Sequence, residues 1–244
     1  MGAEKKVAIC MPTMGAVDPG TAGDYAALCL RLASGAERLG ISEISLHQLG
    51  MTYLPLARER LAHQAMFVGA THVLWIDADM RFPPYAAERL LQHDADIVGA
   101  NYARRVGSGE TSSYVRGEQA TFQLALPEKL LKLLAPSVTA LTIEGAAMVP
   151  KETGLEPAAM MGMGFCVVRA EVFQALAEPW FLAGYDAKGQ WNGEDWVLCQ
   201  RALAAGLHVV VDHEVSRVVG HAWSQVNRLD VHPMSPVEAI DNRL

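Results

Sequence analysis

Apolar positions in the first hundred residues switch between the two periods of regular structure. Val7-Ala8-Ile9-Cys10-Met11 is a continuous apolar run that stops at Pro12, which predicts a strand leading into a loop. Over residues 24–39, Leu28, Leu32, Ala36 and Leu39 lie three or four apart and Gly40 follows where a C-cap belongs, so a helix is predicted. Residues 41–49 form a second strand candidate around Ile44 and Leu46, and residues 56–70 a second helix with Leu61, Ala65 and Val68 on one side. Val73-Leu74-Trp75-Ile76 places four apolar residues in a row, as in a strand buried on both faces. Pro83 and Pro84 open a helix to about Gln92, and residues 96–100 supply another strand. Strands and helices in alternation predict an α/β fold, with a mostly parallel central sheet flanked by helices.

The pattern weakens over residues 104–156. Gly107, Ser108, Gly109, Thr111, Ser112 and Ser113 predict a mobile loop, and within this region only residues 128–134 have helical periodicity. Order returns with a strand over residues 161–168, helices over 170–177 and 194–205, Gly206 as a helix end, and a last strand over 207–211. Polar residues with Pro233 and Pro236 follow. We expect a single catalytic domain over residues 1–223 and a C-terminal tail over 224–244 that wraps the body or is loosely held.

Composition narrows the classes. Of 244 residues 51% are hydrophobic and only 19% charged, which excludes a disordered chain, and 20 Lys and Arg against 27 Asp and Glu give −7, the wrong sign for a nucleic-acid surface. No apolar run reaches the roughly 18 residues of a membrane span. The N-terminus has no secretory apolar core, so a cytoplasmic location is expected. Cys10, Cys29, Cys166 and Cys199 stand in apolar segments without a CxxC pair and read as buried thiols.

Three places carry candidate chemistry. Asp77 and Asp79 stand one residue apart directly after the most apolar strand, at the edge where open α/β sheets bind ligands, and their oxygen atoms suit Mg²⁺ or Mn²⁺. An isolated pair of this kind is also an ordinary way to leave a strand into a turn. Glu194 and Asp195 follow Gly193 at the start of a helix, where acids cap and complement the dipole, or where a carboxylate can deprotonate an acceptor hydroxyl. His221, after Gly220, can complete a metal shell begun by carboxylates, whereas His208, His213 and His232 read as ordinary histidines. Among Trp180, Trp191, Trp196 and Trp223, Trp191 and Trp223 are candidate sugar contacts, and Met11, Met14, Met160 and Met161 read as core fillers.

In this order, Met11-Pro12-Thr13, Ala57-Arg58, Trp75-Ile76-Asp77-Ala78-Asp79-Met80, Gly162-Met163-Gly164-Phe165, Gly193-Glu194-Asp195 and Gly220-His221 resemble the DxD-containing, family 2-like sugar-nucleotide glycosyltransferases of the GT-A fold. The resemblance spans about residues 7–223. It implies a Rossmann-like nucleotide-diphospho-sugar transferase fold and a metal-dependent transfer of a sugar from a nucleoside-diphosphate sugar to a hydroxyl acceptor. Pro12 and Thr13 would border the nucleobase, Arg58 would approach the nucleotide, and Asp77 would face ribose or metal-bound water. Asp79, with Asp77 and His221, would hold Mn²⁺ or Mg²⁺. Met163 and Gly164 would face the donor sugar or acceptor, with Asp195 and Glu194 as the catalytic acids. Many relatives have Arg-Asn where this chain has Arg58-Glu59, so that asparagine's polar contact has no counterpart here.

Two other readings belong to different classes. One is a nucleotidyltransferase, which would need a basic, glycine-rich phosphate loop, but residues 11–21 hold two glycines and no Lys or Arg. The other is a sugar-nucleotide-binding protein without glycosyl transfer, against which intact Asp77, Asp79, Asp195 and His221 count. A haloacid-type phosphatase would carry its DxD on the first strand, with Thr or Val where this chain has Arg81.

Overall fold

The computed structural model describes residues 4–103, 112–116, 121–122, 141–142, 145–148, 151–185 and 191–222. In chain order the elements begin β1 (Lys5–Thr13), α1 (Pro19–Ser34), α2 (Ala36–Leu39), β2 (Ile41–Gly50), α3 (Leu54–Phe67), β3 (His72–Ile76), β4 (Met80–Arg81), α4 (Tyr85–Leu90) and β5 (Ile97–Gly99). Short pairs follow, β6 (Tyr114–Arg116) with β9 (Gly145–Ala147) and β7 (Thr121–Phe122) with β8 (Leu141–Thr142). Then come β10 (Leu155–Pro157), β11 (Phe165–Arg169), α5 (Ala170–Ala175), β12 (Gly184–Tyr185), β13 (Trp191–Asn192), α6 (Glu194–Ala204), β14 (Val209–Asp212), α7 (His213–Ser216) and β15 (Gly220–His221).

Seven strands form the central sheet in the order β10, β14, β5, β11, β3, β1, β2. Five of them run one way, because β1 is parallel to both β2 and β3 and β14 is parallel to β5, while β11 runs against β3 and β5 and β10 against β14. The pleat sorts the apolar runs onto two faces. Ala8, Cys10, Val73 and Trp75 pack with Leu61, Ala65, Phe173, Leu198 and Cys199 from α3, α5 and α6. Val7, Ile9, Leu74 and Ile76 pack with Leu28, Leu32, Ala87 and Leu90 from α1 and α4. Helices therefore cover both faces of a largely parallel sheet. Cys10, Cys166 and Cys199 are buried, and Cys29 is half-buried.

Helix boundaries follow local chemistry that apolar spacing alone does not display. The first helix starts at Pro19, five residues before the expected start, because Asp18 accepts a hydrogen bond from the Thr21 amide (3.0 Å) and proline suits the first turn. It breaks at Gly35 and resumes as α2, which ends at Gly40 in the left-handed conformation (φ 67°). The strand expected over 161–168 begins only at Phe165, because the preceding glycines pass over a tyrosine described below. The expected helix over 128–134 and the tail over 224–244 lie outside the described residues. No helix among the described residues is long and apolar enough to cross a membrane.

The reversed strand β11 brings Gly164 to the carboxyl edge of β3. There the Gly164 carbonyl accepts a hydrogen bond from the Asp77 amide (2.9 Å), and the Gly164 amide donates to the Tyr102 hydroxyl (2.7 Å). A Cβ on Gly164 would lie 2.6 Å from that hydroxyl oxygen and one on Gly162 2.5 Å from it. Tyr102 is itself 4% exposed and cannot step aside. Gly164→Ala is expected to lower stability by about 1–3 kcal/mol through overpacking, read as an earlier urea midpoint with an unchanged slope.

Candidate functional site

The carboxyl ends of β1 and β3 and the turn after β3 meet at one edge of the sheet, where a largely parallel sheet leaves a crevice for ligands. Pro12 and Thr13 close β1 there, both buried, with the Thr13 hydroxyl accepting from the Gly15 amide at 3.3 Å. Asp77-Ala78-Asp79 leaves β3 in a turn closed by the Met80 amide on the Asp77 carbonyl (3.2 Å). The Asp18 amide donates to the Ala78 carbonyl (2.8 Å), which ties the loop after β1 to the same turn. A second tie runs from Arg81 to Asp24 of α1 (2.6 Å).

Beyond the turn, β4 pairs antiparallel with β15, so that His221 lies opposite Met80, the residue after Asp79. The Ala222 amide adds a hydrogen bond to the Asp79 carbonyl (2.6 Å). His221 is 7% exposed, and its Nδ1 lies 2.9 Å from the Ala103 carbonyl, which can only accept. That contact assigns the proton to Nδ1 and leaves the Nε2 lone pair for another partner. Tyr102 packs edge-on against the imidazole (5.1 Å between ring centroids) and fixes its plane.

Arg58 sits beneath this edge, 2% exposed, on α3. Its Nη2 donates to Asp77 Oδ1 at 2.9 Å and its Nη1 to Glu194 Oε1 at 2.5 Å, joining the turn after β3 to the first residue of α6. Burial pulls the guanidinium pKa down, but the Asp77 and Glu194 carboxylates outweigh it and the net shift is upward, so Arg58 stays charged. It is a brace beneath the site rather than a surface group. Glu194, 7% exposed, gives its Oε1 to the same brace.

Asp195 follows Glu194 and keeps part of its surface in solvent. Burial first and the Glu194 charge second push its carboxyl up to about 7, against the opposing pull of Arg58. The folded protein therefore holds a proton that the unfolded chain, with an ordinary carboxyl near about 3.9, has already lost. The folded state binds more protons throughout that window, so the Asp195 contribution to stability falls as pH rises from about 4 to about 7. Asp195→Asn is expected to gain stability relative to the parent at pH 8 and less at pH 5, measured by urea unfolding at both. The same desolvation leaves a carboxylate that takes up a proton readily near neutral pH.

Asp77, Asp79 and His221 do not close into a three-ligand cage. Among the described residues, the His, Cys, Asp and Glu ligand atoms that converge within 4.8 Å in a group of three are those of Glu59, His63 and Glu178. Asp77 is instead drawn to Arg58. That leaves Asp79 and His221 as the candidate pair at this edge, and Mg²⁺ and Mn²⁺ are commonly held by one or two side chains plus substrate phosphates.

Other expected residues are less exposed than the sequence suggests. Met163 is 1% exposed and packs in the core with Trp75 and Cys166. Gly162 and Gly164 serve close packing on Tyr102. Trp180 is buried, whereas Trp191 is 52% exposed and stacks edge-on with Tyr185 (5.0 Å) on the β12–β13 pair just before Gly193. Trp223 and His232 lie outside the described residues. The departure at Glu59 has a structural cause: its carboxylate accepts the amides of Trp180 and Phe181, each at 2.9 Å, and so faces the 178–181 loop instead of the crevice. Tyr102 carries no motif in the sequence, and the paired glycines at 162 and 164 are the only trace of the space its ring requires.

No family model matches the chain, and no curated protein matches it either. Solved structures do. The protein A197 from STIV is similar over 94% of this chain and 97% of its own, with a TM-score of 0.54 at 14% identity. GalNAc-T7, in a crystal structure with UDP, GalNAc and Mn²⁺, is similar over 93% of this chain and 45% of its own, with a TM-score of 0.51 at 11% identity. At these identities the likeness is one of fold, and the fold is the GT-A type, a mostly parallel sheet between helices.

Proposed function

We propose that the protein is a metal-dependent glycosyltransferase that moves a sugar from a nucleoside-diphosphate sugar to a hydroxyl acceptor, within one catalytic domain over residues 1–223. The observation that carries this reading is the β4–β15 pairing, which sets His221 against the end of the Asp77-Ala78-Asp79 turn with Nδ1 already committed to Ala103. A cap or turn former needs no imidazole 140 residues away in sequence with its second nitrogen held open. The similar fold of GalNAc-T7, whose structure holds UDP, GalNAc and Mn²⁺, supports the same class of ligand.

In this reading Pro12 and Thr13 border the nucleobase, and Asp77, oriented by Arg58, faces the ribose or a metal-bound water. Asp79 and His221 Nε2 hold Mn²⁺ or Mg²⁺, which when bound neutralises the diphosphate as it departs. Gly164, packed on Tyr102, and Met163, in the core, support the site from beneath. The acceptor hydroxyl oxygen forms a bond to the anomeric carbon, the bond from that carbon to the diphosphate oxygen breaks, and Asp195 takes the hydroxyl proton. Glu194 holds Arg58, and through it Asp77, in register. The exposed ring of Trp191 offers a face to the acceptor.

A panel of UDP-, GDP-, CMP- and TDP-sugars, each with and without Mn²⁺, tests the assignment by thermal unfolding. One nucleotide class is expected to raise Tm only with metal, by an amount that grows with ligand concentration (about 2.7 kcal/mol at a hundred times Kd), and that donor should be hydrolysed slowly without acceptor. No shift with any donor would sink the reading, and a shift without hydrolysis would leave a binding protein.

A further inference from the structure

Glu59 and His63 stand one helical turn apart on α3, and Glu178 reaches them from the loop after α5. His63 Nε2 lies 3.6 Å from Glu59 Oε1 and 3.5 Å from Glu178 Oε2. Both separations are too long for good N–H···O bonds, and a single N–H can point at only one carboxylate. They are instead what two ligand atoms show when each lies about 2.1 Å from one tetrahedral cation, roughly 3.4 Å apart.

Two of the three groups are held in place before any ion arrives. The Glu59 carboxylate is anchored by the Trp180 and Phe181 amides. The His63 ring lies against the Trp180 indole, with centroids 4.6 Å apart. Glu178 is exposed and free to complete the set, and both His63 and Glu178 line a cavity of about 800 Å³ that also includes His47, Gln64, Phe173 and Trp180. A fourth coordination position on that side has room for water.

We infer that Glu59, His63 and Glu178 form a second metal site, separate from the crevice at the sheet edge, that binds Zn²⁺ or a cation of similar preference with a water in the fourth position. Imidazole nitrogen and carboxylate oxygen are both donors that Zn²⁺ takes, three protein ligands leave the fourth position of a tetrahedral centre open, and the two negative charges balance the ion. Because Glu178 precedes the segment that Glu59 holds by its amides, the ion clamps the 178–181 loop onto α3. Arg58, the residue before Glu59 on the helix, braces the crevice.

The test is Co²⁺ titration of the full chain followed by visible absorption, with His63→Ala, Glu178→Gln and Asp79→Asn beside the parent. Glu59 is left intact because it holds the loop. His63→Ala is expected to remove one equivalent of Co²⁺ together with the intense visible band of a four-coordinate ion, weakening that site about a hundredfold or more, and Glu178→Gln to weaken it about tenfold. Asp79→Asn should leave the band unchanged, which separates this site from the crevice whether or not the latter binds donor. Zn²⁺ should raise the Tm of the parent but not of His63→Ala, each read against its own metal-free melt, because the variant also loses the ring contact with Trp180. If His63→Ala binds as many equivalents with the same spectrum as the parent, or if the parent shows no four-coordinate band, the site is not there.

Discussion

Arg58→Met is expected to destabilise the protein by about 3–5 kcal/mol, the cost of breaking a buried ion pair from one side. Asp77 and Glu194 both bond to that guanidinium, with side chains only 20% and 10% exposed, so removing it strands two carboxylates with little water to solvate them. The loss is about a fifth or more of the stability of an ordinary domain. Glu194→Gln in the Arg58→Met background should recover part of it, because one of the stranded charges is gone, and the non-additivity measured by urea unfolding of the four proteins is the signature of the brace. Costs that simply add would mean that Arg58 acts by packing alone.

Asp79→Ala is expected to leave the fold intact and to abolish metal-dependent binding of the donor. Its side chain is partly buried and leaves β3 into a turn that is held by backbone bonds from the Met80 amide to the Asp77 carbonyl and from the Ala222 amide to the Asp79 carbonyl, neither of which needs the carboxylate. Turnover should fall by about a thousandfold or more, since neutralising a departing diphosphate is worth several kcal/mol of barrier. A melt of the unliganded variant within a few degrees of the parent, with the Mn²⁺-dependent shift lost, is the expected pair of results. Full activity in the variant would remove Asp79 from the site.

The first hundred residues were legible because their structure is set locally. Val73 to Ile76 could be assigned from four consecutive apolar side chains, and all four are completely buried. Gly40 could be assigned as a helix end, and it adopts the left-handed cap. The candidate residues could be assigned by type and spacing, but their partners could not. β4 and β15 are two-residue strands with no periodicity to read, and they pair residues 80–81 with 220–221. Arg58 looks like a polar residue in an amphipathic helix until two carboxylates from distant elements close on it. Glu59 looks like a lost amide contact until the Trp180 and Phe181 amides are seen to occupy it. His63 and Glu178 had no sequence signal, since a helix and a loop 115 residues apart bring them together.

The direct test of the central claim is a crystal grown with Mn²⁺ and the nucleoside diphosphate selected by thermal shift, with the metal located by anomalous scattering. The account predicts a manganese peak between the Asp79 carboxylate and His221 Nε2, bridged to the diphosphate, with the base against Pro12 and Thr13. A nucleotide bound away from the carboxyl edge of β1 and β3, or a peak that touches neither Asp79 nor His221, would contradict it.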